Sequence, residues 1–143
     1  MDYRKTTAVC GMDCFNCPLF KDNINDSVRK RMAHLVSGDP HTFACGGCRE
    51  TGCILSHVEC ATLKCAQEKG HWFCSDCDSF PCQRLAPCAD QAERLPHNYK
   101  LYALSTIRSR GVEAWGKEAA GVRALYYRGK MVIGAGPSLD EDI

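Results

Sequence analysis

A mainly α fold, with room for a small α+β element, is predicted by three observations. Apolar residues recur at helical steps after the first cysteines and over two segments near the C-terminus. Between them lies a stretch with weak periodicity and most of the cysteines. Twelve of the 143 residues are cysteine, and none follows Cys88. The chain therefore reads as one domain, 1–143, with three parts. Residues 1–40 hold an N-terminal cysteine motif and a helix, 41–88 an irregular cysteine-rich centre, and 89–143 a helical part with a short tail.

The first helix is expected between the first two cysteine groups. Leu19, Phe20, Ile24, Val28, Met32, Leu35 and Val36 fall at three- to five-residue steps. Pro18 would sit in its first turn, where a missing N–H costs nothing, and Gly38-Asp39-Pro40 would end it. Arg29, Lys30 and Arg31 read as a solvated face. In the centre, a short helix is expected over Cys60–Lys69, closed by Gly70. Phe73 and Phe80 flank Cys74 and Cys77, and Pro81 precedes Cys82. Asn98 would cap a helix over Tyr99–Arg110 that ends at Gly111. A last helix over Val112–Tyr127 places Val112, Trp115, Ala119, Val122, Leu125 and Tyr126 on one side. Lys130–Gly134 reads as one short strand or an extended tail, Gly134-Ala135-Gly136-Pro137 as a turn, and Asp140-Glu141-Asp142 as a disordered end.

Composition excludes several classes. The chain is 45% hydrophobic and 24% charged, as a globular domain should be. It has no apolar run of membrane-spanning length and no signal-like N-terminal stretch, which points to the cytoplasm. A net charge of +1 argues against a strongly electrostatic nucleic-acid or membrane binder. Residues 39–88 carry four Lys/Arg against six Asp/Glu, so no basic stripe accompanies their aromatics. No Ser-His-Asp set, paired carboxylates, nucleotide loop or H-E-x-x-H appears, so an enzyme reading has no named parts.

The cysteines carry the chemistry. Cys10-x3-Cys14-x2-Cys17 is followed by Cys45-x2-Cys48-x4-Cys53, Cys60-x4-Cys65, Cys74-x2-Cys77-x4-Cys82 and Cys88. The C-x2-C-x4-C spacing occurs twice. Disulfides need an oxidising compartment, and buried free thiols would not cluster in sequence. Two thiolates on a tight turn can instead meet one ion, with Zn–S near about 2.3 Å. Four thiolates suit zinc or an iron–sulfur cluster. Cys10-x3-Cys14-x2-Cys17 has radical-SAM spacing, but 143 residues are too few for the barrel that presents it. The tandem ferredoxin run is absent as well. Zinc is favoured, with [4Fe–4S] the alternative. Each four-thiolate zinc adds −2, so two sites would carry the formal charge from +1 to −3. His41, His57 and His71 lie among the cysteines as lesser candidate ligands.

The ordered series Cys10-Gly11-x-x-Cys14-x-x-Cys17-Pro18, Cys45-x-Gly47-Cys48-Arg49, Cys60-x4-Cys65-Ala66-x-Glu68-Lys69-Gly70 and Cys74-x-x-Cys77-x-x-Phe80-Pro81-Cys82 resembles an uncharacterised cysteine-rich family of bacteria and archaea, common in anaerobes. The likeness extends through Leu95-Pro96-His97-Asn98 and Gly111–Trp115. It implies a metal-binding fold and no particular reaction. Ten cysteines fall within its pattern, and Cys53 and Cys88 outside it, which favours two metal sites over three. The expected ligands are Cys10, Cys14, Cys17, Cys45, Cys48, Cys60, Cys65, Cys74, Cys77 and Cys82. Cys10, Cys14 and Cys17 are expected to act together, with Cys45/Cys48 and Cys74/Cys77 as pairs. The expected role is a zinc-stapled interaction or regulatory module with a protein partner. An iron–sulfur redox protein, or a thiol enzyme or sensor using Cys53 or Cys88, is the alternative. His97 is a further residue of interest.

Overall fold

In the computed structural model, residues 1–33, 39, 41–52, 59–86 and 97–139 are described. Leu35, Val36, Gly38, Pro40, Cys53, His57, Cys88 and the Asp140–Asp142 end lie outside them. The described chain is mainly helical: α1 (Tyr3–Thr6), α2 (Asp26–Met32), α3 (Cys48–Thr51), α4 (Ala61–Glu68), α5 (His97–Arg110) and α6 (Val112–Arg128). Short 3-10 turns cover Cys14–Asn16, Cys74–Asp76 and Gln83–Leu85. Two strands, β1 (Lys130–Val132) and β2 (Gly136–Ser138), pair antiparallel with Met131 opposite Pro137. No helix among the described residues is long and apolar enough to cross a membrane.

The helix pair α5–α6 builds the main core. Gly111 joins the two helices at φ +85°, closing α5 through its N–H to the Ile107 carbonyl at 2.9 Å. Tyr99, Ala103, Leu104 and Ile107 meet Trp115 and Ala119, and Trp115, Ala103 and Leu104 are fully enclosed. The Tyr99 and Trp115 rings meet edge-on at 5.5 Å. The cysteine-bearing segments add Phe15, Phe73 and Leu85 to this core. It therefore bridges the predicted centre and the predicted helices. A smaller cluster of Leu19, Val28 and Cys45, with Ile24, Met32 and Phe43 against it, sits under α2.

Two segments differ from the sequence expectation. Leu19, Phe20 and Val28 are buried and Ile24 and Met32 partly so, but the helix begins only at Asp26. Before it, Phe20 donates its N–H to the Cys17 carbonyl in a turn and bridges Cys45 in parallel register. Asn23 Nδ2 holds this turn through the Phe15 and Cys17 carbonyls at 2.7 and 2.9 Å. Asn25 Oδ1 then caps the helix by accepting from the Val28 N–H at 3.0 Å. Periodicity did not register these side-chain bonds. Near the C-terminus, α5 includes His97 and Asn98, so Asn98 lies in the first turn and is not the cap. The tail is a hairpin, with Gly136 and Pro137 in its second strand. Arg29 is half-buried, its Nε donating to the Phe43 carbonyl at 3.2 Å, while Lys30 and Arg31 are exposed.

The loop after Cys10 docks on α5 through Gly11. Its φ is +85°, and a Cβ there would lie 3.0 Å from Ala103 Cβ and 3.1 Å from Leu104 Cγ. Both the backbone conformation and the close approach require glycine. Gly11→Ala is expected to lower stability by about 1–3 kcal/mol. A lower urea midpoint, with the transition still cooperative, checks this.

Candidate metal centre

Turns place the sulfurs. Cys14 opens a 3-10 turn in which the Cys17 N–H returns to the Cys14 carbonyl at 2.9 Å. Cys74 and Cys77 repeat this arrangement at 3.3 Å. Asp76 Oδ2 fixes the second turn by accepting from the Phe73 N–H at 2.8 Å. Gly47, at φ +94°, lets Cys48 begin α3 while its own N–H donates to Cys45 Sγ at 3.3 Å. Backbone N–H groups of Met12, Cys48, Leu19 and Val9 likewise point at the sulfurs of Cys10, Cys14, Cys17 and Cys48. Such donors stabilise thiolate charge.

The ten expected ligands are all described and all free of disulfides. Their mutual charge effects show how they gather. Among the sulfurs, Cys48, Cys10 and then Cys45 act on Cys14, Cys10 and Cys60 act on Cys48, and Cys60 acts on Cys10. Cys10, Cys14, Cys48 and Cys60 are thus neighbours, an inner group, with Cys45 beside Cys14. Cys74 feels Cys10 first and then Cys82, Cys65 and Cys77. Cys65, Cys74, Cys77 and Cys82 also line one cleft, which makes them an outer group. One short helix serves both, since Cys60 is the residue before α4 and Cys65 lies within it.

Cys45 borders the inner group, since it acts on both Cys14 and Cys17. Cys17 feels Arg123, Cys45 and Asp13, while Cys45 Sγ is 3.4 Å from Thr51 Oγ1. Of the three N-terminal cysteines, Cys10 and Cys14 lie near Cys48, and Cys14 and Cys17 both lie near Cys45. Among the described residues, no three His, Cys, Asp or Glu side chains stand placed around one ion. His71 lines the outer cleft and His41 is exposed.

Burial dominates the chemistry of these thiols. It pushes Cys14 and Cys74 up to about 12 and Cys48 to about 11, with neighbouring sulfurs adding to the rise. Cys10 and Cys17 are raised for the same first reason. A cation at the sulfurs would reverse this, because it favours the thiolate that burial disfavours. The donor set is soft and sulfur-rich, and so fits zinc or an iron–sulfur cluster.

Two supports were not foreseeable from spacing. Asp13 is fully buried between Cys10 and Cys14, and its Oδ1 accepts from Arg123 Nη1 of α6 at 2.7 Å. Asn16 Nδ2 reaches its other oxygen at 3.0 Å. Burial, followed by the Asp13 charge, raises the adjacent Tyr99 hydroxyl. Arg49, next to Cys48, donates Nε to the Thr7 carbonyl at 3.0 Å and Nη2 to the Trp72 carbonyl at 2.6 Å. Its guanidinium also lies over the Trp72 ring at 4.6 Å. Arg49 thereby ties α3 to the segments that carry Cys10 and Cys74.

The model of a family described as "protein of unknown function (DUF3795)" matches residues 6–87, more than half of the chain. That span holds every cysteine of both groups. No curated protein matches, and no solved structure matches.

Arg123→Ala would leave the buried Asp13 carboxylate without its cation and is expected to cost about 3–5 kcal/mol, read from chemical unfolding. A second expectation concerns pH. A thiol raised above the unfolded value near 9.0 stabilises the metal-free fold fully below pH 9, and this contribution is lost between pH 9 and about 12. Metal-free protein should therefore lose stability across that window. Thiolate absorbance should rise late in the folded chain and near pH 9 in urea.

Proposed function

The chain belongs to the DUF3795 family of proteins of unknown function, and we propose that it is a zinc-binding module holding two ions. Cys10, Cys14, Cys48 and Cys60 would hold one ion, and Cys65, Cys74, Cys77 and Cys82 the other. The observation that carries this reading is the cleft lined by Cys65, Cys74, Cys77 and Cys82, with α4 leading from it to Cys60 and so toward the partly covered Cys10, Cys14 and Cys48. Four thiolates complete the coordination of a structural zinc ion.

The surrounding structure supports this reading. Backbone N–H groups already face the inner sulfurs, as a bound thiolate needs. Bound metal would add folding energy to cysteine-bearing segments that otherwise pack on α5 and α6 through Phe15, Phe73 and Leu85. With two such centres the formal charge moves from +1 to −3, which turns the chain away from nucleic acid and toward proteins as partners. An interaction or regulatory role in the cytoplasm, where thiols stay reduced, fits this chemistry.

Elemental analysis of untagged protein purified without oxygen should find about two zinc ions per chain. Less than about one metal of any kind per chain overturns the reading. Iron with acid-labile sulfide in place of zinc would assign an iron–sulfur cluster instead. A strong chelator at neutral pH should unfold the cysteine-rich centre, seen as loss of tertiary circular dichroism.

A further inference from the structure

The two cysteine groups differ in how solvent reaches them. The outer group lines an open cleft of about 410 Å³, and none of the inner four cysteines borders it. Cys82 is exposed, while the other seven are each partly covered. Inner Cys10 packs against the main apolar core. The charged residues bordering the cleft are all basic. Lys69 and Arg84 face it with His71, and no Asp or Glu lines it among the described residues. Lys69 Nζ lies 3.9 Å from Cys77 Sγ. Lys69 and Arg84 would offset the −2 of a four-thiolate ion, which lets a small anionic ligand approach, and the open cleft leaves it room beside the ion.

Resting on the two-ion reading, we propose that the outer group is an exchange site, which gives up and takes back a thiophilic d10 cation through small anionic thiols, while the inner group keeps its ion. In the exchange step the incoming thiolate donates an electron pair to the ion. The metal–Cys82 bond breaks, Cys82 Sγ leaves with its own pair, and it then takes a proton from water. Nothing is oxidised or reduced. Cys82 is the leaving ligand because it is the exposed member of the four.

The test uses the full chain loaded with zinc and an excess of dimercaptosuccinate at neutral pH. Zinc still bound is counted by elemental analysis after rapid desalting. One equivalent should leave at least about tenfold faster than the other, because access governs ligand attack, and its rate should rise with dimercaptosuccinate concentration. Cys82→Ser should keep the slow equivalent and lose the fast one, while Cys14→Ser should do the reverse. Alkylation of the wild-type chain after the first equivalent has left gives a readout independent of how the variants fold. It should label Cys82 and Cys77 and spare Cys14 and Cys48. Release of both equivalents at one rate, or early labelling of Cys14 and Cys48, overturns the exchange proposal alone. A chain that takes up no zinc overturns the two-ion reading beneath it.

Discussion

Sulfurs held close together in a partly dry environment resist ionisation, and this constraint organises the cysteine-bearing half of the molecule. Burial disfavours each thiolate, and every neighbouring thiolate disfavours it further. The backbone answers with N–H groups aimed at Cys10, Cys14, Cys17, Cys45 and Cys48. Those dipoles are partial charges, and burial still outweighs them at Cys14 and Cys48, whose thiols stay raised. A cation would complete what the turns begin. The family match over residues 6–87 encloses this arrangement and stops short of the long helices.

The α5–α6 pair serves as the platform for these turns. Gly11 brings the Cys10 loop onto Ala103 and Leu104, and Asp13 reaches Arg123 across 110 positions of sequence. Phe73 and Leu85 extend the same core under the outer group. The platform therefore sets the separation between the segments bearing Cys10 and Cys74, which the Cys74 N–H to Val9 carbonyl bond at 2.8 Å then fixes. Arg49 does the equivalent for Cys48 by joining Thr7 to Trp72.

Much of this was legible in the sequence for local reasons. The Cys60–Lys69 helix with its Gly70 stop, and the two C-terminal helices parted by Gly111, follow from periodicity and glycine placement, which are short-range signals. The late start of α2 was not legible, because Asn23 and Asn25 redirect the chain through side-chain bonds that compete with the helix. Spacing names candidate ligands but not which of them become neighbours. Cys14 and Cys17 are three apart and share Cys45 as a neighbour, yet Cys14 also meets Cys48 and Cys10 while Cys17 meets Arg123 and Asp13. Asp13 and Arg123 carry no spacing signal at all. Their pairing is purely a product of tertiary approach.

The position of α4 has a mechanical consequence. It has eight residues, too few for a helix to persist alone in water. Its order must come from what grips its ends. Cys60 at its start belongs to one thiol group and Cys65 within it to the other. The segment thus spans from Cys60 to the cleft lined by Cys65, and its helical form depends on packing at both ends rather than on its own length.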